Sequence, residues 1–147
     1  MKSMLHWLAA IVAMAFMSCA VAQERSTTTP SAADWIEIKR VIGEQRTALI
    51  AGNGERAFSF ATPQLRNHFG DVATFMRMVR EGYLPLLEAR YAEFLEGAVI
   101  AGDVVQPLRL VMPDGTVLVA IYGVQRQVDG AWRISACVIA PSTARSA

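Results

Sequence analysis

The sequence predicts an α+β protein in which N-terminal helices cover one face of an antiparallel sheet. Three observations predict it. After Pro30, apolar residues recur at helical spacing through the first half of the chain. From about Arg90 the period shortens to that of strands. Two turn signals, Pro113-Asp114-Gly115 and Asp129-Gly130, then separate long β-branched runs. Helices followed by a meander place both layers around one core.

Each element has a local cause. Ser31 with Asp34 three residues on reads as a capping box. Trp35, Ile38, Ile42 and Leu49 continue a helical stripe, widened by Val41 and Ala48, and Gly52-Asn53-Gly54 ends it. Glu55 to Ala61 reads as a short helix bearing Phe58. Thr62 caps the next helix with Pro63 at its first position, and Gln64 to Phe69 supplies one or two turns. Gly70-Asp71 breaks and recaps. Val72, Phe75, Met76 and Val79 stand at i, i+3, i+4 and i+7, and Gly82 closes that helix. Arg90 to Glu96 reads as a strand, and Val104 to Met112 as another. Pro107 marks the second as an edge strand or a bulge, since proline donates nothing to a ladder. Val117 to Arg126 and Ala131 to Ile139 complete the sheet. Alternation on the last strand puts Trp132, Ile134, Ala136 and Val138 on one face, with Arg133, Ser135, Cys137 and Ile139 on the other.

The N-terminus reads as a signal peptide over 1–22. Lys2 is followed by an apolar run from Trp7 to Met17 and an A-x-A site at Ala20-Val21-Ala22. The run is shorter than the roughly 18 residues of a spanning helix. The expectation is an exported chain, periplasmic or secreted, with no stable membrane insertion after cleavage. Lipidation at Cys19 is the competing fate, although the residues before it lack the usual leucine of a lipobox. Residues 23–30 read as a flexible linker, 31–141 as one domain, and 142–147 as a tail. Cleavage leaves Cys137 as the single cysteine, so the domain relies on its core, not on an internal disulfide. The basic count of 14 falls to 13 when Lys2 leaves, matching 13 acids. Lys39 is then the only lysine, and the arginines form no stripe. That pattern argues against nucleic acid and against electrostatic membrane binding.

The order of elements resembles the nuclear transport factor 2-like superfamily, the cystatin-like cone. The residues that carry the likeness are "ALIAGNGERAFSFATP" (Ala48 to Pro63) and "VDGAWRISACVIAP" (Val128 to Pro141). The resemblance implies a strongly curved antiparallel sheet with the helices packed into it. More closely, "FSFATPQLRNHFGDVATFMRMVREGYLPLL" with "GAWRISACV" looks like an uncharacterised family of small exported bacterial domains of unknown function, from about Asp34 to Pro141. The superfamily hosts isomerases, dehydratases, ligand sinks and protein-binding modules, and the fold alone does not choose among them.

Candidate chemistry is sparse. Isomerase-type members of the superfamily need an acid/base carboxylate in the cone and a tyrosine donor. The first helix, Trp35 to Leu49, holds no tyrosine. Glu93, on the same side of its strand as Tyr91 and Leu95, is the nearest to a candidate carboxylate, but a solvated face is its simpler reading. His68 is the only mature histidine and has no second histidine for a metal or a triad. No Walker, G-x-S-x-G, C-x-x-C or H-E-x-x-H motif is present, so no cofactor and no metal are expected. Cys137 has no activating base in its strand, so packing is the expected role. The apolar stretch Tyr83-Leu84-Pro85-Leu86-Leu87 joins the last helix to the first strand, where cone folds have their pocket mouth; plain core closure is its simpler reading, and a lid or partner contact the functional one. The expected ligand contacts are Tyr83, Leu84, Leu87, Tyr91, Glu93 and Tyr122, with Arg109 and Arg126 as further polar groups on the sheet. Apolar positions on both faces of the sheet fit a homodimer through its outer face.

The sequence therefore predicts an exported binding or interaction module for a small apolar ligand or an envelope protein. The rival reading is a cofactor-free isomerase or hydratase that uses Glu93 or His68 with a tyrosine.

Overall fold

The computed structural model describes residues 29–142. The expected signal peptide over 1–22, Cys19, most of the expected linker and most of the expected tail lie outside the described residues. Five helices precede five strands: α1 Ala32–Ile50, α2 Gly54–Ser59, α3 Pro63–Phe69, α4 Val72–Gly82 and α5 Leu84–Glu88, then β1 Tyr91–Phe94, β2 Ala98–Ile100, β3 Asp103–Val111, β4 Val117–Arg126 and β5 Trp132–Pro141. The strands form one curved, unclosed antiparallel sheet in the order β1-β3-β4-β5, with β2 also on β3. The class is α+β.

The helix starts follow the capping chemistry. The Ser31 side chain accepts from the Asp34 amide while the Asp34 carboxylate accepts from the Ser31 amide. Asn53, Thr62 and Asp71 cap α2, α3 and α4. From α1, Ile38, Val41, Ile42, Ala48 and Leu49 enter the core. They meet Phe75, Met76 and Val79 of α4 and the inward side chains of the sheet, Leu108, Leu110, Ala120, Tyr122 and Val124. Packing is tight at two glycines. A Cβ on Gly54 would stand 2.7 Å from Val72, and one on Gly97 would stand 2.2 Å from the Trp35 ring.

Four expectations are corrected. The Tyr83–Leu87 stretch is no plain connection: it forms α5, whose terminal carbonyls, those of Leu86 and Ala89, accept from the Arg46 guanidinium at 2.9 and 3.0 Å. The single strand expected over Arg90 to Glu96 stops at Phe94, and a further strand, β2, turns back onto β3 through Ala101 and Gly102. Both have positive φ, 50° and 86°. That conformation suits a tight hairpin, but alanine gives no hint of it.

Pro107 is not on an edge, because β3 lies between β4 and the β1/β2 pair. It sits opposite the break between β1 and β2, where the Leu95 amide still donates to its carbonyl at 3.1 Å. The return bond from a residue-107 amide does not exist. The buried Gln106 side chain replaces it, donating to Leu95 O at 2.7 Å.

The faces of β5 also differ from simple alternation. Gly123 pairs with Ala136 while Val124 pairs with Ile134, so Ser135 is the extra residue of a bulge. Before it, Trp132 and Ile134 face the core. After it the parity flips: Cys137 and Ile139 turn inward, and Ala136 and Val138 turn out. The free edge of β5 is covered in part by the chain ahead of α3, since Ile134 exchanges backbone bonds with Phe60 and Thr62.

Candidate functional site

The bulge at Ser135 brings Cys137 onto the inner face directly opposite Tyr122. Tyr122 in turn pairs with Gln106 on its other side. A polar row, Gln106–Tyr122–Cys137, thus crosses an otherwise apolar inner surface. Between this surface and the helices lies a cavity of about 260 Å³. Tyr122, Ile134 and Cys137 reach it from the sheet. Gln45 and Leu49 reach it from α1, Phe75 and Val79 from α4, and Leu65 and His68 from α3. No lining residue is lysine, arginine, aspartate or glutamate.

The polar groups of this cavity are unequally engaged. Tyr83 donates to the Cys137 carbonyl at 2.8 Å. The buried Gln45 amide makes a long contact of 3.4 Å to Ala57 O. Tyr122 is fully buried, yet its hydroxyl makes no hydrogen bond. The cross-strand Cys137 thiol stands beside it and acts on its acidity. Burial raises the pKa of Tyr122 well above its ordinary value and pushes the Cys137 thiol up to about 12, with the Tyr122 hydroxyl countering only part of this. The thiol is therefore protonated at neutral pH, and a thiol is not the nucleophile. Arg46 also acts on Tyr122, but its guanidinium is held by the α5 carbonyls.

The expected contacts divide. Tyr83 and Tyr122 line the cavity; Leu84, Leu87, Tyr91 and Glu93 do not. Leu84 and Tyr91 are exposed, and Leu87 packs against the core from α5. Glu93 is on the outer face, 49% exposed, with its carboxylate 3.6 Å from Arg109 across the β1–β3 pair. Arg126 stands at the end of β4, 3.8 Å from Asp34. His68 touches the cavity wall but is itself exposed, and it bonds to neither cavity tyrosine. An isomerase built on Glu93 or His68 therefore lacks its acid/base at the tyrosines. Sequence reasoning missed Gln45 and Cys137 as cavity residues. Gly123, an isolated glycine within a strand, was the available sign of the bulge that turns Cys137 inward.

A second depression of about 590 Å³ lies on the other side of the sheet, over Ile121, Gly123, Ala136 and Val138, with Asp103 and His68 at its margin. It is larger, but it holds no buried polar group without a partner. Among the described residues, no group of three or more His, Cys, Asp or Glu could hold a metal ion. No described helix is long and apolar enough to cross a membrane.

No curated protein and no solved structure matches this chain. A family model described as a domain of unknown function, DUF4864, matches residues 31–147. This span holds every helix and strand that forms the cavity, and the chain belongs to that family.

Proposed function

We propose that the chain is an exported, non-catalytic binding module of the nuclear transport factor 2-like cone type, whose inner cavity takes a small apolar ligand. One observation carries the reading: a cavity of about 260 Å³ with a largely apolar lining free of lysine, arginine, aspartate and glutamate, set between the helices and the concave sheet. No acid/base pair converges there, and the thiol present is held in its unreactive form. The test is a titration with benzene, followed by methyl shifts in NMR spectra. Saturable shifts confined to Leu49, Met78, Val79 and Ile134 are expected. Shifts spread over the outer face, or none at all, would remove the reading. Export has its own test: secreted or periplasmic protein should begin at Gln23.

A second reading concerns the outer face. Ile121 and Val138 pair across β4 and β5 and are 39% and 60% exposed, with Pro107 beside them. Glu93 and Arg109 next to this patch carry opposite charges. A second copy related by a two-fold axis would match both features. Sedimentation should then show a dimer that Ile121→Lys converts to monomer; a monomer in the unaltered protein rejects this reading.

A further inference from the structure

We propose that the free edge of β5 pairs with an extended peptide segment of a partner protein, which delivers an apolar side chain to the inner cavity. The proposal deepens the cavity reading and rests on it for where that side chain goes.

The first observation is a run of peptide groups with no strand beside them. Ser142 donates its N–H to Val117 O at 3.1 Å, which fixes the alternation of the β4–β5 ladder. Val138 and Ala140 turn their peptide groups toward β4, while Cys137 and Ile139 turn theirs away. Two sets of bonds agree with this. Ile134, before the bulge, faces the same free side and exchanges backbone bonds with Phe60 and Thr62. The Tyr83 hydroxyl reaches the Cys137 carbonyl from that side at 2.8 Å. Among the described residues, no strand pairs with this side of β5 beyond Ile134. The Cys137 N–H and both peptide groups of Ile139 are left for a further strand.

The second observation is that this edge lacks the usual protection. Open edges are commonly kept short or guarded by charged side chains. At the opposite edge β1 and β2 are four and three residues long, and Glu93 and Glu96 stand on or beside them. Ser135 to Pro141 of β5 holds no charged residue.

The third observation is that both depressions meet here. Leu65, His68, Ser135 and Ala136 border the inner cavity and the outer depression alike. Of the inner lining, His68 and Ala136 are the exposed members, so the cavity opens at the β5 edge. A residue paired opposite Cys137 shares its inward face and stands beside the cavity. Its two neighbours lie on the outer face, beside Ala136 and Val138. Backbone pairing at an edge, with pockets for alternate side chains, is a recurrent way for a sheet to take up a peptide. A free small molecule fills the cavity but leaves these peptide groups unpaired.

The probe is the uncharged, blocked pentapeptide acetyl-Thr-Val-Leu-Val-Thr-amide, titrated into the full chain. It should bind saturably and shift the amide signals of Cys137 and Ile139. Two N-methylated forms keep every side chain. One carries its methyl groups on the Leu and last Thr amides, the other on the two Val amides. Only alternate amides of a strand face β5. One form should therefore lose about tenfold or more in affinity, the worth of one or two backbone hydrogen bonds, and the other should bind like the parent. Equal binding of the two forms would overturn the proposal. Ile139→Pro removes an edge donor and no bond to β4, and should weaken the parent peptide by a similar factor. The methylated pair decides the matter even if that variant does not fold. A dimer that Ile139→Pro splits would place a second copy on the edge and would also overturn the proposal. Benzene binding without peptide binding removes the proposal and leaves the cavity reading; binding of neither removes both.

Discussion

The two ends of the core treat their polar groups in opposite ways. At the end where α1 begins, polar atoms hold the fold together. Asp34 accepts from the Ser31 amide and hydroxyl, and from the Trp132 indole at 3.0 Å, a residue 98 positions away. The Trp35 ring lies so close over Gly97 that no Cβ would fit there. At the end where α1 finishes, a cavity remains and the Tyr122 hydroxyl is left unengaged. The difference teaches that this fold gets its rigidity from one end and keeps space at the other. Hydrophobic packing explains both ends and hydrogen bonds run through both, from Asp34 at the first and from Arg46 and Tyr83 at the second, but only the second leaves a buried hydroxyl unengaged.

The largest effect that tests this contrast is Trp132→Ala. The ring is 4% exposed and its N–H anchors α1 through Asp34. Its loss should destabilise the protein by about 3–5 kcal/mol, measured by denaturant melts. A loss of under about 1 kcal/mol, the level of an ordinary surface change, would show that the α1 start is not the rigid end.

Much of the helical layer was legible in the sequence, and the reason is locality. The Ser31–Asp34 box, the Thr62-Pro63 start and the α4 stripe each declare themselves within a few residues. Asp34 and Trp132 were each singled out, but nothing local joins residues that far apart. The cavity was harder to read. Tyr83 and Tyr122 line it and Glu93 lies on the outer face, a division the sequence does not show, because strand parity says which residues share a face but not which face is buried. Cys137 was set on the wrong face because one extra residue, Ser135, inverts the parity of everything after it. Pro107 misled for a related reason: the gap it tolerates belongs to β1 and β2, and Gln106 repairs the missing bond from the neighbouring position.

pH separates the two ends with an effect of intermediate size. At the α1 start, the Trp132 indole and then Ser31 hold the Asp34 carboxyl at about 2, below its ordinary 3.8. A depressed carboxyl stabilises the fold above its unfolded value, and that contribution is lost as pH falls from about 4 through 2. The cavity end responds on the other side. Burial raises Cys137 from 9.0 to about 12 and raises Tyr122 and Tyr83 as well. Unfolded chains release these protons first, so stability is intact below pH 9 and falls as pH climbs toward 12. At about pH 11 the thiol alone should remove on the order of 2–3 kcal/mol. Melts of Cys137→Ala should show a shallower alkaline limb and an unchanged acid limb. An acid limb that moved with Cys137 would join two ends that the structure keeps apart.

The smallest expected effect has the opposite sign. Tyr122→Phe removes only an oxygen, and the ring keeps its place among Ala120, Val124 and Leu108. A hydroxyl buried without a partner penalises the folded state, so its removal should leave stability unchanged or raise it by up to about 1 kcal/mol. Trp132→Phe at the other end also keeps an aromatic ring, but it leaves an Asp34 oxygen without its indole donor and should cost about 1–3 kcal/mol. The pair compares like with like: one aromatic polar group removed at each end of the same core. If Tyr122→Phe costs as much as Trp132→Phe, the Tyr122 hydroxyl serves the fold just as the indole does. The two ends would then no longer differ in how they treat a buried polar group.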